Sequence, residues 1–257
     1  MKIISISSFV VHSQVSLKLI LQHYGHILLP IPSQLYSAPM STKGAVGLPV
    51  ELEELLSSTL NICETEGETI IVHVGFLANQ RQVDVIIRML KEFKPIISAV
   101  VVDPVMGDHG KAYGDGDKRN WFKQLLPFAD LAIPNYTELC LLTDTDFATE
   151  SIETTYHKFS TLFPETQLIV TSTPTPNLSV KKTIGIAYRE DEALRKAHFP
   201  RYGELIGGTG DLFTMGVIDH YYFRKKTITQ AILAAHELVI DHLTSIKQTA
   251  INELLSV

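Results

Sequence analysis

The sequence predicts an α/β fold: a mostly parallel central sheet with helices on both faces. Short, continuously apolar runs recur along the chain, among them Ile70–Val74, Ala99–Val102 and Leu168–Val170, as strands buried on both faces require. Amphipathic stretches with helical spacing alternate with these runs; Val83, Ile86, Ile87 and Leu90 form one such stripe. Polar residues marked by glycine or proline follow the apolar runs, and in sheets of this kind ligands bind beyond the carboxyl ends of the strands.

Taken in order, Ile3–Ser7 reads as a first strand and Val10–Tyr24 as a helix stopped by Gly25. Ile27–Ile31 is a second strand. Pro49–Cys63 is a helix with proline in its first turn, where a missing N–H costs nothing. Ile70–Val74 is a third strand closed by Gly75, and Gln82–Phe93 the helix after it. Ala99–Asp103, Leu131–Ile133 and Leu168–Thr171 are buried strands, and Thr183–Tyr188 is expected as an antiparallel strand near the sheet edge. Leu212, Phe213, Met215, Val217 and Ile218 mark a buried helix. A last helix spans Ile228–Thr249 with a buried stripe of Ile228, Ile232, Ala235, Val239, Leu243 and Ile246. No repeat, low-complexity tract or linker interrupts the pattern, so residues 1–257 are expected to form a single domain.

Composition narrows the function. Hydrophobic residues make up 45% and charged residues 19%, and the formal net charge is -6, which argues against a nucleic-acid-binding role. Cys63 and Cys140 lie far apart without metal-type spacing, as expected in a reducing compartment. No run is long and apolar enough for a membrane helix, and the amino terminus passes straight into a strand pattern. The expectation is a cytoplasmic protein.

The chemistry concentrates at the strand ends. Gly207-Gly208-Thr209-Gly210 precedes a buried helix, placing bare backbone and the positive end of a helix dipole where an anion would bind. Asp211 is an acid beside that anion site, which suits a base that takes a proton from an attacking hydroxyl; a capping aspartate on a glycine turn is the plain alternative. Asp103 and Asp108 flank a Pro/Gly turn and suit a metal–nucleotide complex or a cation, or else are ordinary turn acids. Asn135 and Glu138, three apart at a helix start, fit a capping box; Glu138 also fits a Mg²⁺-bound water in a phosphate-transfer site. Thr171 and Ser172 are loop hydroxyls suited to a monovalent cation or a nucleotide.

The order Gly75-Phe76-Leu77, Asp103-Pro104-Val105-Met106-Gly107-Asp108, Pro134-Asn135-Tyr136-Thr137-Glu138, Val170-Thr171-Ser172 and Gly207–Phe213 resembles the pyridoxal kinase family of the ribokinase-like superfamily. The similarity is strongest from Gly75 onward. It implies that Asp211 is the catalytic base and that the backbone of Gly208, Thr209 and Gly210 is the anion hole. It implies Asn135 and Glu138 as the Asn-x-x-Glu signature tied to Mg²⁺ and phosphate, with Asp108 near the ATP phosphates. Asp103 and Thr171 match a monovalent-cation site, although Ile133 stands where the family often has Thr. Lys111-Ala112-Tyr113 resembles the segment that covers ATP. In the amino-terminal third, Ser5 and Ser8 match two family serines, Ser7 stands at a Gln position, and Ser13 and Ser16 stand where the family has glycines. Ser33–Met40 resembles the substrate-side flap, with Pro39-Met40 where the family has His-Thr. Ser5, Ser7, Ser37, Met40 and Phe76 are the candidate acceptor-binding residues.

The resemblance implies an ATP-dependent kinase of a hydroxymethyl compound: pyridoxal, pyridoxine or pyridoxamine, with Mg²⁺, K⁺ as a further candidate, and a homodimer. Two other readings stand beside it. One keeps the chemistry and changes the acceptor to hydroxymethylpyrimidine or a sugar. The other is a non-catalytic protein that holds pyridoxal phosphate or nucleotide; the altered flap motivates it and the intact Gly-Thr-Gly-Asp argues against it.

Overall fold

A computed structural model describes residues 1–13, 15–113, 117–174, 183–201 and 207–255, the side chains as far as 248. The amino-terminal elements are β1 (Lys2–Val10), α1 (Ser16–Tyr24), β2 (Leu28–Tyr36), β3 (Gly47–Pro49), α2 (Leu52–Thr65), β4 (Ile70–Val74), α3 (Gln80–Glu92) and β5 (Ile97–Val102). A two-strand hairpin follows, β6 (Gly107–Asp108) with β7 (Lys111–Ala112), then α4 (Lys118–Leu125), β8 (Leu131–Ala132), α5 (Tyr136–Thr143), α6 (Ile152–Leu162) and β9 (Gln167–Thr173). The chain continues through β10 (Thr183–Glu190), β11 (Ala193–Pro200), α7 (Thr209–Ile218) and α8 (Ile228–Leu255).

Nine of the described strands form one sheet in the order β11-β10-β9-β8-β5-β4-β1-β2-β3. Its centre, from β9 to β2, is parallel; β3 pairs antiparallel at one edge and β10–β11 at the other. Alternate strand residues therefore feed two cores. Ile4, Ile6, Val72, Val100 and Val102 pack under α2–α6, and Ile3, Ile71, Ala99, Val101 and Ile169 pack under α1, α7 and α8.

The expected fold class is what the structure has, with revisions. Val10 ends β1, and the helix expected from Val10 begins only at Ser16, because β1 remains paired to β2 out to Val10↔Tyr36. Pro49 closes the edge strand β3 instead of opening α2, an acceptable place for a residue without an N–H. Thr183–Tyr188 is antiparallel as expected, but β11 is the outermost strand on that side. In α8, Ile228, Ile232, Ala235 and Leu243 are buried, Val239 is half-buried, and Ile246 is exposed because the helix runs past the sheet.

Candidate active site

The glycine-rich turn lies at the start of α7, as the sequence suggests; Ile206, just before it, is outside the described residues. Gly208 is the N-cap, with φ +90°, a left-handed backbone that side chains rarely adopt. A Cβ there would meet Leu19 Cδ2 at 2.9 Å and Val15 Cα at 3.2 Å. The turn is thus seated directly on the start of α1, and no larger residue fits. Nothing lies within 4 Å of the Cβ position of Gly210, so that backbone is open to a ligand.

Asp211 lies in the first turn of α7. Burial pushes its carboxyl up to about 6, opposed by hydrogen bonds from the backbone N–H of Ser16 and from its own N–H. A carboxylate of that basicity is unprotonated at neutral pH yet a better proton acceptor than an exposed aspartate. Ser16 holds φ +49° to make this contact, and its Oγ accepts from Ser8 Oγ at 3.2 Å. The end of β1, the start of α1 and Asp211 are therefore tied together.

Asp103, just past β5, is buried and accepts from Thr214 Oγ1 at 2.9 Å. Burial first, then the charge of Asp211, push it up to about 7, with Thr214 opposing. Glu138 is also buried and pushed well above the usual carboxylate range, by burial and then by Asp103. The charge of Asp211 thus reaches Asp103 and that of Asp103 reaches Glu138, an excess of buried negative charge that a cation would relieve. Among the described residues no three His, Cys, Asp or Glu side chains form a group able to hold a metal by themselves. That arrangement fits Mg²⁺ held largely by water and substrate phosphates.

Asn135 and Glu138 form a complete capping box on α5: Asn135 Oδ1 accepts from the Glu138 N–H at 3.0 Å and Glu138 Oε2 from the Asn135 N–H at 2.8 Å. The same side chains also hold the β6–β7 hairpin. Glu138 Oε1 accepts from the Met106 N–H, Asn135 Nδ2 donates to the Gly107 carbonyl, and Thr137 Oγ1 accepts from the Gly110 N–H. Asp108 lies on that hairpin, half-buried, accepting from the His109 N–H; Lys111 and Tyr113 are exposed beyond it. Thr171 and Asn135 form a β-bridge, so the nucleotide-side candidates converge; Ser172 is exposed with φ +53°.

The residues expected on the acceptor side fall into buried and exposed sets. Ser5 is buried and shares a 2.8 Å hydrogen bond with His73 Nδ1; Ser7 is buried and its Oγ accepts from the Phe76 N–H. Ser37 is exposed and its Oγ accepts from the Val46 N–H inside the flap, and Met40 is 61% exposed. Phe76 is half-buried, edge-on to Tyr36 with centroids 6.0 Å apart. The serine next to Asp211 is Ser16, through its backbone N–H, and Ser8 reaches it through the Ser8 Oγ–Ser16 Oγ hydrogen bond. A register shift between Ser7 and Ser8 in the β1–β2 pairing re-aims the strand there. Thr137, quoted in the Pro134–Glu138 motif without a role of its own, and His73 and Thr214, which no motif singled out, also contact this region through Gly110, Ser5 and Asp103.

With this geometry in hand, the sequence profile of the phosphomethylpyrimidine kinase family matches residues 40–253. The chain belongs to that family. A Schizosaccharomyces pombe protein provisionally assigned as a pyridoxal kinase is 28% identical over 184 residues, covering 68% of this chain and 52% of that protein. The chain spans about half the length of the curated relatives it matches. Among solved structures, Entamoeba histolytica pyridoxal kinase superposes with a TM-score of 0.81 at 21% identity, covering 95% of this chain and 89% of the other. Leishmania donovani pyridoxal kinase, in complex with ADP and pyridoxamine, gives 0.75 at 20% identity over 93% and 85%. These likenesses bear out the fold and the family kinship read from the strand-end motifs. No helix of the described residues is long and apolar enough to cross a membrane.

Proposed function

We propose that the protein is an ATP-dependent kinase that phosphorylates the hydroxymethyl group of pyridoxal, pyridoxine or pyridoxamine, acting as one kinase domain. The observation that carries this reading is Asp211: a carboxylate pushed up to about 6, at the mouth of a glycine-lined helix start, oriented by the Ser16 N–H. Asp211 takes the proton of the acceptor hydroxyl as it attacks the γ-phosphate. The backbone from Gly208 to Gly210, with the α7 dipole behind it, stabilises charge on the transferring group. Thr214 holds Asp103, and Glu138 holds the β6–β7 hairpin that carries Asp108 on the nucleotide side. Mg²⁺, when bound, neutralises phosphate charge; Glu138, through water, and Asp103 are the carboxylates that would face it, with Thr171 and Ser172 toward nucleotide or K⁺. Lys111 and Tyr113 extend from the same hairpin as a cover for ATP.

The B6 reading is favoured over hydroxymethylpyrimidine because relatives and structural neighbours include proteins named as pyridoxal kinases, one of them with bound pyridoxamine. A cytoplasmic homodimer is part of the proposal. The test is ADP formation with pyridoxal, pyridoxine, pyridoxamine, hydroxymethylpyrimidine and ribose. Turnover confined to the three vitamers is expected. Turnover with the pyrimidine alone replaces the acceptor, and ligand binding without turnover removes the enzyme assignment.

A further inference from the structure

Lys118 sits where a lysine gains little from the fold. It is the first residue of α4, at the positive end of the helix dipole, where a cation is disfavoured. The N-cap carboxylate of Asp117 is occupied by Asn120, through both its backbone N–H and its side-chain amide. Among the described residues no carboxylate lies within ion-pair distance of Lys118, and burial pulls its ammonium below its usual range. Among the described residues its favourable contact is with an aromatic face: Nζ lies 4.4 Å from the centroid of Phe76.

That ring is not a loose surface group. The Phe76 N–H donates to Ser7 Oγ and its carbonyl accepts from Ser33 Oγ, so β1 and β2 hold it from both sides. Phe76 follows β4 directly, one residue past Gly75, at the carboxyl end of the sheet where ligands bind in this class of fold. Among the described residues, then, an ammonium without a carboxylate partner stands over the aromatic wall of the acceptor half, where an anionic oxygen would supply the missing charge.

We propose that Lys118 recognises the acceptor by receiving an anionic ring oxygen, the phenolate of a 3-hydroxypyridine, and so separates that class from pyrimidines lacking the oxygen. This rests on the B6 reading above and deepens it. The chemistry fits the class, because a protonated ring nitrogen acidifies the phenol and leaves a phenolate in the ring plane. A ring that stacks on Phe76 takes the place Nζ now holds over that face and shifts the flexible lysine to the ring's edge, where the ammonium meets the oxygen; the two contacts read two different features of one ring.

The experiment is equilibrium binding by calorimetry of pyridoxine, 3-deoxypyridoxine, hydroxymethylpyrimidine and ADP to the unmodified protein, Lys118→Met and Lys118→Gln. Two neutral variants guard against one of them failing to fold, which thermal melting reports. Loss of pyridoxine affinity by about 10- to 100-fold is expected, the scale of a hydrogen bond between charged partners. Affinities for 3-deoxypyridoxine and ADP should stay within about twofold, since neither uses that contact. Equal weakening of pyridoxine and its deoxy analogue would overturn the assignment by making Lys118 a mere wall, and unchanged pyridoxine binding would overturn it too. In both cases the B6 reading stands, because the unmodified protein still binds pyridoxine. If the unmodified protein binds the pyrimidine and not pyridoxine, both fall.

Discussion

The two halves of the site are built differently. On the nucleotide side, Asn135, Thr137 and Glu138 each bond to backbone of the β6–β7 hairpin or the turn before it, 27 to 32 residues away in the chain. A Cβ at Gly107 would meet the Lys111 carbonyl at 2.7 Å and Leu141 Cδ1 at 3.1 Å, so hairpin and helix are also closely packed. On the acceptor side, Ser5, Ser7 and Ser37 are engaged with their own surroundings, and Met40 stands in solvent on the flap. One half is tied together by hydrogen bonds to the hairpin; in the other, the flap residues Ser37 and Met40 stand exposed. Pre-assembly lowers the ordering cost of binding and favours a site that need not adapt. With the flap exposed, the selectivity proposed above rests on groups already in place, Phe76 with Lys118 over it.

The largest effect should come from Asp211, the proposed base. Asp211→Asn keeps the volume and removes the proton acceptor. Turnover should fall by roughly 10²-fold or more, the scale of positioned general-base catalysis, while ADP affinity is retained. Near-normal turnover in the purified variant would leave Asp211 as a cap and detach the two halves chemically.

Glu138→Gln attacks the pre-assembled half. Sequence reasoning suggests that Gln would preserve the capping box, but both carboxylate oxygens accept backbone N–H groups, Oε1 from Met106 and Oε2 from Asn135. A Gln amide has one acceptor oxygen, so its NH₂ must face one of those donors. The variant should lose about 1–3 kcal/mol of stability, the cost of leaving a buried donor unpaired, and need more Mg²⁺ for half-maximal turnover. Urea unfolding and Mg²⁺ titration separate the two roles: superimposed titrations with lowered stability would make Glu138 a hairpin latch alone.

How far the sequence could lead follows from the same contrast. Buried parallel strands were legible because their apolar runs are continuous, and the strand-end motifs because each is local: Asn135 and Glu138 recognise one another across a single turn. What escaped is non-local or irregular. Thr214 meets Asp103 across 111 residues, a distance no spacing rule reaches. Ser8 is linked to Ser16 where β1 departs from strict alternation, which a period of two does not foresee. The edge strand β11 reads Ala-Leu-Arg-Lys-Ala-His-Phe-Pro and is mostly exposed, so it lacks the signal that betrays its buried neighbours.

His73 offers a smaller test, confined to the floor of the acceptor half. It is fully buried, its Nε2 has no partner, and burial pushes its pKa down to about 3. The folded ring stays neutral while the unfolded one takes a proton near 6.5. Between those values the unfolded state binds more protons, so stability present above about pH 6.5 is lost as pH falls toward 3. The slope is at most about 1.4 kcal/mol per pH unit. His73→Leu should abolish that part, and the difference between the two proteins' urea midpoints at pH 7 and pH 5 isolates it, because shared carboxylate titrations cancel. Parallel pH dependences would mean that water reaches the ring and that this floor is less tightly closed than its burial indicates.

The smallest effect belongs to the flap. At 61% exposure the Met40 side chain stands in solvent, so a hydroxyl there reaches a bound ring only if the flap folds over it. A thioether offers adaptable apolar contact and no donor. Met40→Thr should therefore lower the acceptor KM by roughly 2- to 5-fold, because one exposed-to-buried hydrogen bond contributes about 0.5–1 kcal/mol net and closure consumes part of that. The turnover number and the ATP KM should not move, since Met40 lies on neither Asp211 nor the hairpin. An unchanged KM for all three vitamers would mean that the flap does not close on the ring. Acceptor binding would then rest on β1, Phe76 and Lys118 alone, and the Lys118 variants would become the stricter measure of how this half selects its substrate.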